Sequence, residues 1–339
     1  MVNIGVIGIG SMGNTHLEAY RKIDGCTVVA VADADEGRRT GRTAVGGNIE
    51  GQGAGGFDFG SVRQYADADE LIADADVHLV DICLPTPLHA RFAIRALEAG
   101  KHLLVEKPLA RTADDADAIV AAAEKAEGLA MCAMCMRFWP GWDWLREAVA
   151  EGRFGAVRGA QFRRVTSLPA GPFYADGDAS GGALLDLHVH DTDFIQHVFG
   201  TPDAVFSRGY TGETGKTDHV VTHYLFDGQP PLVVAEGGWA MQEGFGFEMQ
   251  YTVNFEHATA VFDINRDPVL KLIEAGGRTS SVELPGGMGY DHELAYFVDC
   301  IARGEAPGRV TLADAARALR IVEAERRSVE SGGVEKVLT

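Results

Sequence analysis

Ile4-Gly5-Val6-Ile7-Gly8-Ile9-Gly10-Ser11-Met12-Gly13-Asn14 stands close to the start of the chain, and its reading decides the fold. Residues 3–9 read as a short buried strand. Residues 8–13 form a glycine turn. Residues 14–23 then place Leu17, Tyr20 and Ile23 at about one-turn intervals, which predicts a helix. G-x-G-x-x-G alone is a weak signal. Here a predicted strand precedes it, a predicted helix follows it, and a second apolar strand over 26–32 ends at Asp33, twenty residues beyond Gly13. That is the context of a dinucleotide-binding βαβ unit. Gly8 permits the tight turn, Gly10 lets backbone approach a pyrophosphate, and Gly13 allows close helix–strand packing. The amides of Ser11 and Met12, at the positive end of the helix, suit the anion. Asp33 is placed to accept the ribose hydroxyls, and its charge repels a 2′-phosphate. NAD is therefore expected, with NADP left open by Arg38 and Arg39.

Outward from this unit, strand and helix patterns alternate. Helices are predicted over 68–75, 89–99 and 113–126, and strands over 77–83, 102–105 and 129–136. Repeated βα units with short buried strands predict a doubly wound parallel sheet. After residue 136 the pattern changes. A helix over 142–150 is followed by period-two runs over 159–165, 204–210, 219–226, 232–235, 247–255 and 260–264, then by helices over 291–303 and 312–331. Strands in succession predict a second, α+β domain with a mostly antiparallel sheet. The expected boundaries are 1–136 for cofactor binding and 137–339 for substrate binding and oligomerisation. Residues 46–60 hold seven glycines, too many for a regular element. They read as a mobile surface loop, either a tolerated insertion or a flap over a ligand.

Composition narrows the class. Among 339 residues, 49 acidic side chains outnumber 30 basic ones, for a net charge of −19. Phosphate neutralisation dominates nucleic-acid affinity, so nucleic acid is disfavoured, as is an anionic membrane surface. No apolar run reaches the ~18 residues that span a bilayer. The five cysteines are too few and too irregular for a disulfide scaffold. Cys132 and Cys135 read as buried structural residues on opposite faces of a strand, in preference to a redox or zinc pair. A reducing cytoplasm is the expected location.

Two further motifs carry chemistry. Glu106-Lys107-Pro108 follows the strand over 102–105. Ligands of doubly wound sheets bind beyond the carboxyl ends of strands, where a lysine reaches a substrate oxygen. A solvated surface lysine is the plainer reading. The second motif is Gly181-Gly182-Ala183-Leu184-Leu185-Asp186-Leu187-His188-Val189-His190-Asp191-Thr192-Asp193. On one helix, Asp186, His190, Asp193 and His197 share a stripe. A carboxylate one turn before a histidine orients the imidazole, and histidine suits base catalysis on an alcohol. A set of solvated helix charges and a metal site built from His188, His190 and Asp186 or Asp193 are the alternatives; His188 points away from the stripe, which weakens a chelate.

Together these motifs resemble the Gfo/Idh/MocA oxidoreductases over nearly the whole chain. Leu84-Pro85-Thr86-Pro87 with His89, Ala99-Gly100-Lys101-His102, Arg137-Phe138-Trp139-Pro140 and the tail over 315–334 add to the likeness. The resemblance implies an N-terminal Rossmann domain and a C-terminal open, mostly antiparallel sheet that forms a homodimer or homotetramer. It implies reversible oxidation of a secondary alcohol on a sugar, sugar derivative or cyclitol. Lys107, Asp186 and His190 take the catalytic positions. Leu84, Pro85, Thr86, His89, Glu106, Lys107 and Arg137 join the cofactor contacts. Trp139, Phe173, Tyr174, His188 and Tyr290 are candidate substrate contacts beside the catalytic three, and no metal is implied. An NAD-using glycosidase, a metal-dependent hydrolase on Asp186, His188 and His190, and a non-catalytic sensor are the competing functions. Many relatives carry glycine at the position of His188, and the 46–60 stretch is long; both leave the substrate open.

Overall fold

A computed structural model describes residues 1–43, 56–228 and 230–338. The glycine-rich stretch expected to be a mobile loop lies mostly outside the described residues; only 56–60 fall within them. The chain divides into two compact units. The first comprises 1–138 and 287–316, and the second 139–286 and 317–339. The expected contiguous split at 136/137 does not describe this packing, because residues 287–316 return to the first unit.

In the first unit, β1 (Val2–Ile7), α1 (Ser11–Tyr20), β2 (Cys26–Ala32), α2 (Glu36–Arg39), β3 (Arg63–Tyr65), α3 (Ala68–Ala73), β4 (Leu79–Ile82), α4 (His89–Glu98), β5 (His102–Glu106), α5 (Ala113–Ala123) and β6 (Ala130–Ala133) follow in order. The six strands form one parallel sheet ordered β3-β2-β1-β4-β5-β6. This is the doubly wound order, with its reversal between β1 and β4, where such sheets bind ligands. The strands read as unbroken apolar runs because both faces are covered: Ile4, Val6, Leu79, Val80, Leu103 and Leu104 are fully buried. β6 is shorter than the run over 129–136 predicted. The chain tightens into a 3₁₀ turn over Cys135–Phe138, with Arg137 N–H donating to Met134 O. Cys132 and Cys135 are thus buried, but not on one strand.

The second unit begins with α6 (Trp142–Ala150) and β7 (Val157–Ser167). Four short helices follow: α7 (Pro172–Ala175), α8 (Gly177–Ser180), α9 (Gly182–Asp186) and α10 (Val189–Phe199). Next come β8 (Ala204–Thr211), β9 (Thr217–Leu225), β10 (Val233–Met241), β11 (Phe247–Phe255), β12 (Ala258–Asp263), β13 (Leu270–Glu274) and β14 (Thr279–Ser281). α11 (Gly289–Arg303) belongs to the first unit. α12 (Leu312–Ser331) contains the division after Ala316, and β15 (Val334–Lys336) closes the chain. The nine strands β14-β13-β12-β11-β7-β10-β9-β8-β15 form one sheet, antiparallel except where β10 runs parallel to β7. Trp142 of α6 anchors its inner face, packing edge-on against Phe194, Tyr251 and Phe262. The Tyr251 hydroxyl donates to Gly141 O at 2.7 Å. Gly141 has φ +89°, and a Cβ there would press on the Phe262 ring at 2.6 Å, so glycine is required.

Candidate active site

In the glycine turn, Gly8 has φ +91°, and a Cβ on it would lie 2.6 Å from Cys83 O. A Cβ on Gly13 would collide with Gly8 O. Gly10 is different. Space lies open where its Cβ would project, and it caps α1 without a side-chain hydrogen bond. The positive helix end therefore opens onto room for a diphosphate. Asp33, half-buried at the end of β2, accepts the Ile9 N–H at 2.8 Å through Oδ2 and the Asp35 N–H at 2.8 Å through Oδ1. Each carboxylate oxygen keeps a lone pair for a ribose hydroxyl. These residues fit a dinucleotide. Arg39 spends its guanidinium on Asp33 O and Ala34 O.

Leu84 reaches the same turn, its Cδ2 lying 3.1 Å from the Gly8 Cβ position. Pro85 is exposed and Thr86 buried at the start of the next 3₁₀ turn. His89, expected among the cofactor contacts, sits behind this turn. Its ring is buried, with Nδ1 2.9 Å from Pro108 O and Nε2 2.7 Å from Leu84 O. Burial holds the imidazole below its usual value. His89 ties the Leu84 loop to the loop after β5. Arg137 is likewise no surface cation. It is buried in the first unit, bonded to Arg309 O and Asp314 Oδ2, while its own carbonyl accepts from Arg309.

Lys107 is half-buried at the carboxyl end of β5, in a cis bond to Pro108. Its N–H donates to Glu106 Oε2 at 3.0 Å. Behind it lies a group of ionisable residues that sequence reasoning missed. His16 on α1 is wholly buried, with Nδ1 2.8 Å from Asp81 Oδ2 and Nε2 3.1 Å from Glu106 Oε1. Tyr20 O–H donates to the same Asp81 oxygen at 2.9 Å. Burial opposes the His16 charge, but Asp81 and Cys83 hold the imidazole well above its usual value. Burial also works against the Glu106 carboxylate, and His16 and Lys107 hold it below the usual range. Glu293 of α11 is fully buried with both carboxyl oxygens lacking a hydrogen-bond partner; burial, then Glu106, push it well above the usual carboxylate range. One signal was readable: Asp81 interrupts the apolar run Leu79–Ile82, and Glu293 falls on the buried stripe of Tyr290, Leu294 and Phe297.

In the second unit, the single helix predicted through 186 and 193 is broken. Gly181 and Gly182 both hold positive φ, and a Cβ on Gly182 would meet Thr217 O at 2.8 Å. Leu187 N–H and His188 N–H both donate to Ala183 O, the second an i→i−5 bond. This π-type slip ends α9 and restarts the helix as α10 in a new phase. Asp186 and His190 stay half-buried, while His188 turns fully inside. Its Nε2 lies 3.1 Å from Tyr224 Oη and 3.4 Å from Glu325 Oε1, and a Cβ on Gly237 would collide with Nδ1. Burial opposes its charge, but Glu325 holds the imidazole above its usual value. His188, expected among the substrate contacts, is an interior residue whose ring faces Tyr224 and Glu325. Among the described residues, the one group of three metal-type ligand atoms within 4.8 Å is His16, Asp81 and Cys83, not Asp186, His188 and His190. Burial pushes the Cys83 thiol far up, which makes it a poor ligand. Trp139 and Tyr290 are buried, and Tyr174 is half-buried with its ring edge-on to Trp239.

This is the framework of a nicotinamide-dependent oxidoreductase, and comparison with known proteins agrees. Residues 2–134 match the oxidoreductase family with an NAD-binding Rossmann fold, and residues 142–264 match the GFO/IDH/MocA C-terminal domain. The chain belongs to the Gfo/Idh/MocA oxidoreductase family. It is 28% identical to the myo-inositol 2-dehydrogenase of Thermotoga maritima, over 97% of this chain and 96% of that one. It is 32% identical to the levoglucosan dehydrogenase of Pseudarthrobacter phenanthrenivorans, over 60% of this chain and 53% of that one. A solved levoglucosan dehydrogenase, in complex with NADH and levoglucosan, has the same fold, with a TM-score of 0.85 at 24% identity over the full length of both chains. No helix of the described residues is long and apolar enough to cross a membrane.

Proposed function

We propose that the protein oxidises a secondary alcohol of a cyclic sugar, sugar derivative or cyclitol, reversibly, with Lys107, Asp186 and His190 as its catalytic residues. The observation that carries this reading is the glycine turn: an open Gly10, an uncapped helix end and an Asp33 carboxylate locked to the Ile9 amide. The family assignment supports it, and relatives named for inositol and levoglucosan favour a ring-shaped polyol. When bound, NAD supplies the hydride acceptor or donor. Gly10, Ser11 and Met12 hold the diphosphate, and Asp33 selects NAD over NADP by its charge. Lys107 stabilises the developing negative charge on the substrate oxygen, a role worth about 3–4 kcal/mol for a preorganised donor. His190 takes the hydroxyl proton, and Asp186 orients the imidazole or the substrate. A glycosidase use of the same cofactor predicts turnover with no net NADH.

The open face of the nine-stranded sheet supports a homodimer or homotetramer. Half-exposed Val221, Val234, Val261 and Ile273 alternate there with buried neighbours, and light scattering on the purified protein measures the state. A reducing, cytoplasmic setting fits the five cysteines. A panel of sugars and cyclitols offered with NAD and with NADP, followed by NADH or NADPH absorbance, tests the function. NADH formation on at least one ring polyol is the expected result.

A further inference from the structure

We infer that His16 is a positioning residue for Lys107, acting through the Glu106 carboxylate and steadied from behind by Asp81. The inference rests on the reading of Lys107 as the reacting cation. His16 is 0% exposed, so it meets neither cofactor nor substrate. Its two ring nitrogens join two strands of the first unit: Nδ1 to Asp81 on β4 at 2.8 Å, and Nε2 to Glu106 on β5 at 3.1 Å. The second contact falls outside hydrogen-bond alignment, so it acts as a charge contact. Glu106 is divided in the same way. Oε1 faces His16, and Oε2 accepts the backbone N–H of Lys107 at 3.0 Å. The line Asp81–His16–Glu106–Lys107 therefore runs from the interior of the sheet to the backbone of the proposed catalytic lysine.

Stability does not account for this line. Well-packed apolar residues commonly serve a buried site as well as an ion pair or better. The charges do make sense as a clamp. The groups that act on Glu106 are His16 from α1, Cys83 just after β4, His89 from α4, Glu293 from α11 and Lys107 itself, with Asp81 and Tyr20 behind His16. Burial pushes Tyr20, Cys83 and Glu293 upward, and it holds His89, each of whose ring nitrogens faces a carbonyl oxygen, below its usual value. Among these groups, His16 is the one whose two ring nitrogens face two carboxylates. Without it, Glu106 keeps Lys107 as its compensating charge but loses the larger one, beside the buried Glu293, and gains a proton more readily. Protonation weakens the acceptor that fixes the Lys107 amide.

Two substitutions separate the ends of the clamp. In His16→Asn the amide takes the place of Nδ1 and serves Asp81 alone. In His16→Gln it takes the place of Nε2 and serves Glu106. His16→Asn is expected to lower kcat by about tenfold or more, toward the ~10²-fold that a 1 Å misplacement costs. His16→Gln is expected to recover most of that loss. KM for NAD and NAD affinity by calorimetry should stay within about twofold in both, since neither touches the nucleotide turn. Both variants remove the charge that faces Glu106, so its carboxyl should protonate about one pH unit higher, read from its side-chain ¹³C shift. A packing role alone would lower the melting temperature of both and leave that titration in place. A readout independent of turnover is the imidazole ¹⁵N shift of His16 in wild-type protein without cofactor. An imidazolium persisting above pH 8 supports the inference, and a neutral ring at pH 7 overturns it even if the variants do not fold. Wild-type kcat and Glu106 titration in His16→Asn, with Lys107→Ala inactive, also overturn it. Turnover by Lys107→Ala would instead overturn the reading of Lys107.

Discussion

The two units each bury a histidine against carboxylates and a tyrosine, and the two sites do different things. In the first unit, His16 lies against Asp81 and Glu106, Tyr20 bonds to Asp81, and the line ends on the amide of Lys107. In the second, His188 lies against Glu325 and Tyr224, whose hydroxyl pairs with Thr192, and the cluster ends inside the protein. The first joins α1 to β4 and β5 and reaches the loop of the proposed catalytic lysine. The second sits where a helix slips phase, and it sets which side chains of that helix stay outside. Placing a polar group next to a site and shaping the backbone that carries the site are separate uses of the same buried chemistry.

The largest effects should come at the residues these clusters serve. Lys107→Ala and His190→Ala are each expected to lower kcat/KM by about 10²–10⁴-fold with NAD affinity retained, measured by NADH absorbance and calorimetry. Loss of NAD binding in either variant would place that residue in the nucleotide site and break the comparison.

Next comes the second cluster. Glu325→Ala takes the facing carboxylate from the buried His188 ring and from Thr192, whose hydroxyl lies 3.2 Å from Glu325 Oε1. Breaking such a buried pair costs about 3–5 kcal/mol, read from chemical denaturation. Glu325→Gln keeps an acceptor and should cost less. A small effect of Glu325→Ala would show that His188 is held by packing alone.

Why the first unit was more legible than the second follows from what each depends on. The turn over 8–13 is governed by local rules, a positive φ at Gly8 and a collision at Gly13, and both are written in the residue types. The strand order follows from repeated βα units with buried strands. The slip at Ala183, Leu187 and His188 has no local signature; it exists because Tyr224, Glu325 and the bare backbone of Gly237 accept the ring. The same applies to β10 beside β7, a pairing between strands far apart in sequence. His89 and Arg137 read as ligand contacts because their type and position suit one, yet nearby carbonyls consume their donors or face their ring nitrogens. His16, Asp81 and Glu293 went unread since a polar residue in an apolar run says only that it needs a partner, not which one.

A smaller effect separates the nucleotide turn from both clusters. Asp33→Ala removes a charged acceptor from the Ile9 amide and from the proposed ribose contact. A hydrogen bond to a charged group contributes about 1.5–3 kcal/mol, so NAD affinity should fall by about 10–100-fold with no change in the melting temperature beyond a few degrees. NADP binding should fall less, because the repulsion is lost with the charge. Equal losses for both dinucleotides would remove Asp33 as the selector.

The smallest effect is on pH dependence of stability. His188 has its folded value raised above the unfolded one by Glu325, so its contribution is full below about pH 6.5, the unfolded value, and is lost as pH rises through the folded value. Glu106 is lowered, so its contribution is present above the unfolded carboxylate value and is lost on acidification. Denaturation free energies measured across this range should decline on the alkaline side, with a shallower decline in His188→Asn. An unchanged decline would assign the slope to other groups.

The central claim is that a nicotinamide dinucleotide binds the glycine turn and that Lys107 acts on the alcohol it oxidises. The most direct measurement is the rate of NADH formation by wild-type protein and by Lys107→Ala on the best ring polyol, with the NAD dissociation constant of each determined on the same preparations. The account predicts turnover by wild type, its near-complete loss in Lys107→Ala and equal dissociation constants. No binding of NAD, NADH, NADP or NADPH by wild-type protein, or equal rates for the two proteins, would contradict it.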